Sequence, residues 1–185
     1  MSARIVPEKN IVYFDLETQK SAEEVGGWHK IRDMRMSIGV TYSTRRGDYQ
    51  IYGENQVNAL IEELRRADLV IGFNNLRFDY EVLLGHNDFF DHQQIPTLDM
   101  LVELQKCLQH RLSLDAIAHA TLGVEKTNEG MQAIHWFRAG RLADIAEYCC
   151  YDVKITRLVH EYGVAQKRLH YTTRFGEKLS VVVAW

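Results

Sequence analysis

The sequence predicts an α/β fold, a mixed sheet with helices on its faces. Three strand-like segments crowd together early, at residues 11–15, 36–42 and 48–52. From residue 56 onward, helical periodicity alternates with short apolar runs, the order that builds strands and helices into one layered sheet. At 185 residues, 46% of them apolar and 25% charged, the chain can bury a substantial core, and no linker or repeat interrupts it. Residues 1–185 are therefore expected to form one domain, with the informative motifs over 11–163 and a basic tail over 164–185.

Ile-Val-Tyr-Phe-Asp at 11–15 has the composition of a buried strand, and residues 36–42 read as a second. A third follows the turn-like Arg45-Arg46-Gly47-Asp48. Val57, Leu60, Ile61 and Leu64 recur at spacings of three and four, predicting a helix over 56–67. A short strand over 69–73 leads through a loop to a helical stretch over 79–84. Residues 95–98 read as a strand and 101–108 as a helix. Ser113 can cap the next helix, which Gly123 ends. The longest helical pattern spans 141–162, with Leu142, Ile145, Ala146, Cys149, Val153, Ile155 and Val159 among its apolar positions. The tail ends in the strand-like Leu-Ser-Val-Val-Val-Ala-Trp. A sheet of this kind gathers functional groups at its strand ends.

Charge and composition exclude several classes. A net charge of −3 argues against a module that clamps long duplex by neutralising phosphates, though not against a nuclease whose site is itself acidic. No apolar run approaches the roughly 18 residues of a membrane helix, and the start lacks a secretory apolar region. Three cysteines make no disulfide framework, so a reduced, cytoplasmic setting is expected. No phosphate-binding G-x-x-x-x-G-K-[ST] loop occurs.

Three acidic segments stand out. Asp15-Leu-Glu17 closes the first strand, where alternation turns both carboxylates to one side. By composition about three acid-x-acid triplets are expected in such a chain, so a strand end entering a polar loop explains this pair equally well. Gly72-Phe-Asn-Asn-Leu-Arg-Phe-Asp79 delivers Asp79 to the start of a helix, either as an ordinary cap or as a site residue. Tyr148-Cys-Cys-Tyr-Asp152 lies in the long helix, and its spacing of four stacks Tyr148 and Asp152 on one face. A mid-helix acid among apolar neighbours calls for a partner: a cation such as Lys154 or Arg157, or a metal.

Together and in this order, the segments resemble the Exo I, Exo II and Exo III motifs of the DEDD exonucleases, which have an RNase H-like fold. Asp15 and Glu17 match D-x-E. Asn74 and Asp79, in Gly-Phe-Asn-x-x-x-Phe-Asp, match the pattern of proofreading domains in family B DNA polymerases. Tyr148 and Asp152 match the Y-x-x-x-D of the DEDDy branch, and Glu147 stands where the sister branch keeps a histidine. Leu112-Ser-Leu-Asp-Ala-Ile-Ala is similar to a helix preceding the third motif. The resemblance implies 3′→5′ hydrolysis of single-stranded DNA or RNA ends, with two Mg²⁺ or Mn²⁺ ions. It implies that Asp15 bridges both ions, that Glu17 and Asp152 hold the one carrying the attacking water, and that Asp79 holds the other. Tyr148 would orient that water. Hard divalent cations take oxygen ligands, so the residue types suit the metals.

Expected substrate-binding residues are Leu16, Thr18, Trp28, Asn74, Asn75, Phe78 and Lys126. Trp28 reads either as a buried loop anchor or as an exposed surface for stacking a terminal base. Arg45, Arg46, Lys167, Arg168, Arg174 and Lys178 are candidate phosphate contacts, or simply solvated charges. His86, Asp88, Asp91 and His92 lack the second half of a zinc site and read as a polar loop. His119 and His135 read as helix-face or loop residues. Two other functions remain open: a non-catalytic nucleic-acid-binding or scaffold domain, and a proofreading module acting with a polymerase or helicase partner.

Overall fold

A computed structural model describes residues 9–124, 130–173 and 175–185. Strands β1 (Ile11–Thr18), β2 (Met36–Ser43), β3 (Asp48–Gly53), β4 (Leu69–Gly72) and β5 (Thr97–Asp99) form one mixed sheet in the order β3-β2-β1-β4-β5. β1 sits at its centre, antiparallel to β2 and parallel to β4. The result is the expected α/β, RNase H-like sheet with helices on both faces. Among the described residues, no helix is long and apolar enough to cross a membrane.

Alternation along β1 divides the core. Val12, Phe14 and Leu16 face one side, where they meet α1 (Val57–Arg65) and α2 (Asp79–Leu84). Leu60, Ile61 and Leu64 of α1 are buried there, at the predicted spacing. Ile11 and Tyr13 face the other side, packed against α6 (Leu142–Gln166) through Ile145, Cys149, Val153 and Val159. Burying each such side chain contributes about 1.5–3 kcal/mol. Asp15 and Glu17 continue the second face, so the long helix that closes the core also roofs the acids.

The sheet register is irregular where the acids lie. Glu17 pairs with Ile38, but Thr18 pairs with Met36, leaving Ser37 as an extra residue on β2. A bulge of this kind twists a strand and re-aims its side chains. β1 also runs on through Thr18, so the acid pair lies inside the strand and not at its end.

α3 (Met100–Leu108) and α4 (Leu114–Leu122) follow β5, and Ser113 Oγ accepts the Ala116 N–H as the predicted cap. α5 (Gly130–Arg138) was not foreseen, nor was β6 (Arg168–Thr172), which pairs with β7 (Lys178–Val182) in a separate hairpin. The hairpin is no loose tail: Leu169, Tyr171 and Val181 join the α6 core, and Thr121 Oγ1 bonds both backbone groups of His170 at 3.0 Å.

Candidate metal centre

Asp15, Glu17 and Asp152 offer carboxylate oxygens that all lie within 4.8 Å of one another. β1 delivers the first two from adjacent same-face positions, and α6 delivers the third from above. Asp79 stands outside this group of three but lines the same cavity, 3% exposed. Its Oδ1 accepts the Leu16 N–H at 3.2 Å, which ties the first turn of α2 to β1. Phe78, not Asp79, occupies the cap position of α2. Asp79 therefore bridges helix and sheet.

Among the described residues, none of the four carboxylates has a cationic partner. Arg157, an expected partner for Asp152, lies 4.2 Å over the Tyr42 ring and 3.6 Å from Glu161 instead. Burial, with nothing to neutralise the charge, pushes all four carboxyls up. Asp79 and Asp152 each reach about 7, and Asp15 and Glu17 stand well above the ordinary carboxylate range. Repulsion adds to desolvation: Asp79, Asp152 and Glu17 all act on Asp15. An all-oxygen, uncompensated donor set is what a hard divalent cation requires. The residues fit such an ion.

Tyr148 sits one turn before Asp152 and hydrogen-bonds to its carboxylate. Its ring meets Trp136 edge-on at 6.2 Å. Burial and the three acids push the phenol above its usual value, so it stays protonated at neutral pH and acts as a donor. Tyr148→Phe is expected to slow hydrolysis by about 10–10³-fold, the range for one positioned group. Isothermal titration should find Mn²⁺ affinity nearly unchanged. Undiminished turnover would reduce Tyr148 to a packing residue.

The acids floor a cavity of about 580 Å³, walled by Leu16, Thr18, Trp28, Phe73, Phe78 and Ile134 among others. Leu16 and Thr18 reach its lining although both are largely buried, and Thr18 Oγ1 is already engaged with the Lys20 carbonyl at 3.0 Å. Trp28 is 67% exposed, which rules out the buried-anchor reading, and its ring lies 6.2 Å from that of Phe78. The segment before Trp28 is fastened to α5 by an Arg138–Glu24 ion pair.

The two asparagines part company. Asn74 takes a left-handed conformation, φ 75°, and lines a neighbouring cavity. Asn75 is fully buried against Gly72, where an added Cβ would lie 1.8 Å from its Nδ2, and it lines neither cavity. Lys126 and Arg174 lie outside the described residues. Arg45 and Arg46 lie past the start of β1, at the opposite end from Glu17, paired with Asp68 and with Asp48 and Glu63. His86 Nε2 accepts the Met36 N–H at 2.9 Å, and Asp91 accepts the Gln93 N–H, so that loop's polar groups are engaged locally.

Two residues that hold the site have little local signature. Asp99, 3% exposed, accepts the N–H groups of Asn74 (2.8 Å), Leu76 (3.1 Å), Leu101 (3.0 Å) and Val102 (3.4 Å). It thus caps α3 and pins the turn that carries Asp79. Cys149 Sγ–H points at the Asp15 carbonyl (3.4 Å) and Oδ2 (3.5 Å). Asp99→Ala strands buried donors in both elements and is expected to cost about 3 kcal/mol. Urea denaturation checks this, and a loss below about 0.5 kcal/mol would show the turn holds itself.

The fold is similar to that of the family B DNA polymerase from the hyperthermophilic archaeon Pyrobaculum calidifontis, with a TM-score of 0.64 and 14% sequence identity. The match covers 85% of this chain and 25% of the polymerase, so the chain spans about a quarter of that protein's length. No family model and no curated protein matches the sequence.

Proposed function

We propose that the protein is a metal-dependent 3′→5′ exonuclease that releases mononucleotides from single-stranded ends. The observation that carries this reading is the group of three carboxylates within 4.8 Å, uncompensated by any cation among the described residues, on the floor of an aromatic-walled cavity. A fold shared with part of a DNA polymerase supports nucleic acid as the substrate class.

Asp15, Glu17 and Asp152 would hold one Mg²⁺ or Mn²⁺, and Asp15 with Asp79 a second. Such a pair lowers the pKa of a water and stabilises the attacking and leaving oxygens of a phosphodiester. The water's oxygen attacks phosphorus, the bond to the upstream 3′ oxygen breaks, and that oxygen leaves as a hydroxyl. Tyr148, held protonated, donates a hydrogen bond that fixes the direction of attack. Trp28 and Phe78 offer faces on which any terminal base stacks, each contact worth about 1–3 kcal/mol. A cavity of about 580 Å³ has room for a terminal nucleotide or two, not for a paired duplex end. Single strands and 3′ overhangs are therefore cut faster than blunt duplex, and a 3′ phosphate inhibits because it replaces the terminal hydroxyl with a bulkier, negatively charged group beside Asp15 and Glu17.

End-labelled single-stranded DNA and RNA of matched sequence, incubated with Mn²⁺, test the reading and assign the sugar preference. Mononucleotide release from at least one is expected. Intact substrate in both, with Mn²⁺ bound, would favour a non-catalytic binding domain.

A further inference from the structure

Beside the acidic cavity lies a second one, of about 280 Å³, lined by Trp28, Ile31, Asn74, Arg77, Phe78 and Arg111. The two share Trp28 and Phe78, so this aromatic pair is the partition between them. Their charge is opposite. The first holds Asp15, Glu17, Asp79 and Asp152, whereas the second contains two guanidiniums and no acid. Among the described residues, neither Arg77 nor Arg111 has a carboxylate within ion-pair distance, although most other arginines of the fold do. Among the described residues, the Arg111 guanidinium makes a 3.3 Å hydrogen bond to Asn74 Oδ1, on the turn that Asp99 pins. Charge also changes sign along the chain here: Arg77 and Asp79 flank Phe78, and their Cα atoms are at most about 7 Å apart.

We propose that this second cavity is the subsite for the next nucleotide of a single strand, with Arg77 and Arg111 taking the phosphate 5′ to it. This rests on the nuclease reading and deepens it. A strand whose 3′-terminal nucleoside occupies the acidic cavity must cross the Trp28–Phe78 partition to continue upstream. Its next phosphate then leaves a field of carboxylates for a pair of unpaired guanidiniums, which suit phosphate oxygens in geometry and charge. Asn74, fixed in its left-handed turn, holds the Arg111 head towards the cavity. The subsite supplies the local basic surface that an overall charge of −3 does not.

Binding of a fluorescein-labelled oligothymidylate of about eight nucleotides, measured by anisotropy in Ca²⁺, tests this without turnover. The Arg77→Ala/Arg111→Ala protein should bind about tenfold more weakly. Its log Kd against log salt should flatten by about 0.7, the value for one lost single-strand phosphate contact. Arg45→Ala, at the far end of β1, is the matched control and should change Kd by less than about twofold. An oligonucleotide with an uncharged methylphosphonate at the second linkage from its 3′ end should bind the wild type as weakly as the natural strand binds the double variant. The variant should not distinguish the two strands. Equal affinities and salt slopes for wild type and variant overturn the subsite. Failure of the wild type to hydrolyse the strand in Mn²⁺, with the binding difference intact, overturns the nuclease reading and leaves the subsite standing.

Discussion

Asp15→Asn is expected to lower the rate of 3′-end hydrolysis by at least about 10³-fold while the protein remains folded. Asp15 sits at the centre of the candidate metal site: Glu17 and Asp152 lie within 4.8 Å, and Asp79 acts on it electrostatically. On the proposed two-ion reading, losing its charge would remove a ligand shared by both ions, and the effect should exceed the 10²–10³-fold typical of one stabilising hydrogen-bond donor. The amide keeps the shape and relieves repulsion in the metal-free protein, so melting without metal should not fall. Single-turnover kinetics with Mn²⁺ in excess, together with circular dichroism, checks both halves. A folded Asp15→Asn protein cleaving within tenfold of the wild type would remove this residue from the chemistry.

The second large effect is on stability, through protons and metal. In the folded protein Asp79 and Asp152 titrate at about 7, and Asp15 and Glu17 well above their usual range, with burial the largest cause in each case. The same groups titrate near 4 in an unfolded chain. The folded state thus holds protons that the unfolded state has released. For Asp79 and Asp152 this contribution to stability is complete below about pH 4 and is lost as pH rises from about 4 to 7. Asp15 and Glu17 act in the same direction. Metal-free protein should accordingly melt at lower temperature at about pH 7.5 than at about pH 5. Divalent ions bind only the ionised form, so the gain from Mn²⁺ should grow over the same interval. At about 100 times its Kd the ion contributes about 2.7 kcal/mol, a shift of about 5–10 °C in a chain of this length. Differential scanning fluorimetry with Mn²⁺ or with chelator at both pH values checks this. A metal-induced shift equal at the two would mean the carboxyls do not release protons on binding.

The acids were legible through the order and spacing of three segments rather than one by one. Asp15-Leu-Glu17 reads as a strand end and Asp79 as a helix cap when taken alone; only Asp152, amid the apolar face of α6, is costly by itself. The strong periodicity of α1 and α6 carried those helices. What escaped has no local signature. Asp99 looks like a strand end, because two of its four donors lie more than twenty residues earlier in the chain. Cys149 reads as an apolar spacer until β1 is placed beneath it. α5 spans only nine residues, and its burial is decided by α6 and β1 rather than by its own pattern. Asn75 was expected at the substrate together with the rest of the Gly72–Asp79 segment. Gly72 leaves the space that lets its side chain turn inward.

The most direct test of the central claim is a time course on a 5′-labelled single strand, run beside a circular single strand of the same composition, with Mn²⁺ and with chelator. The account predicts a ladder shortening one nucleotide at a time from the 3′ end, no cutting of the circle, and no reaction once the metal is removed. Cuts in the circle, or a ladder that survives the chelator, would contradict it.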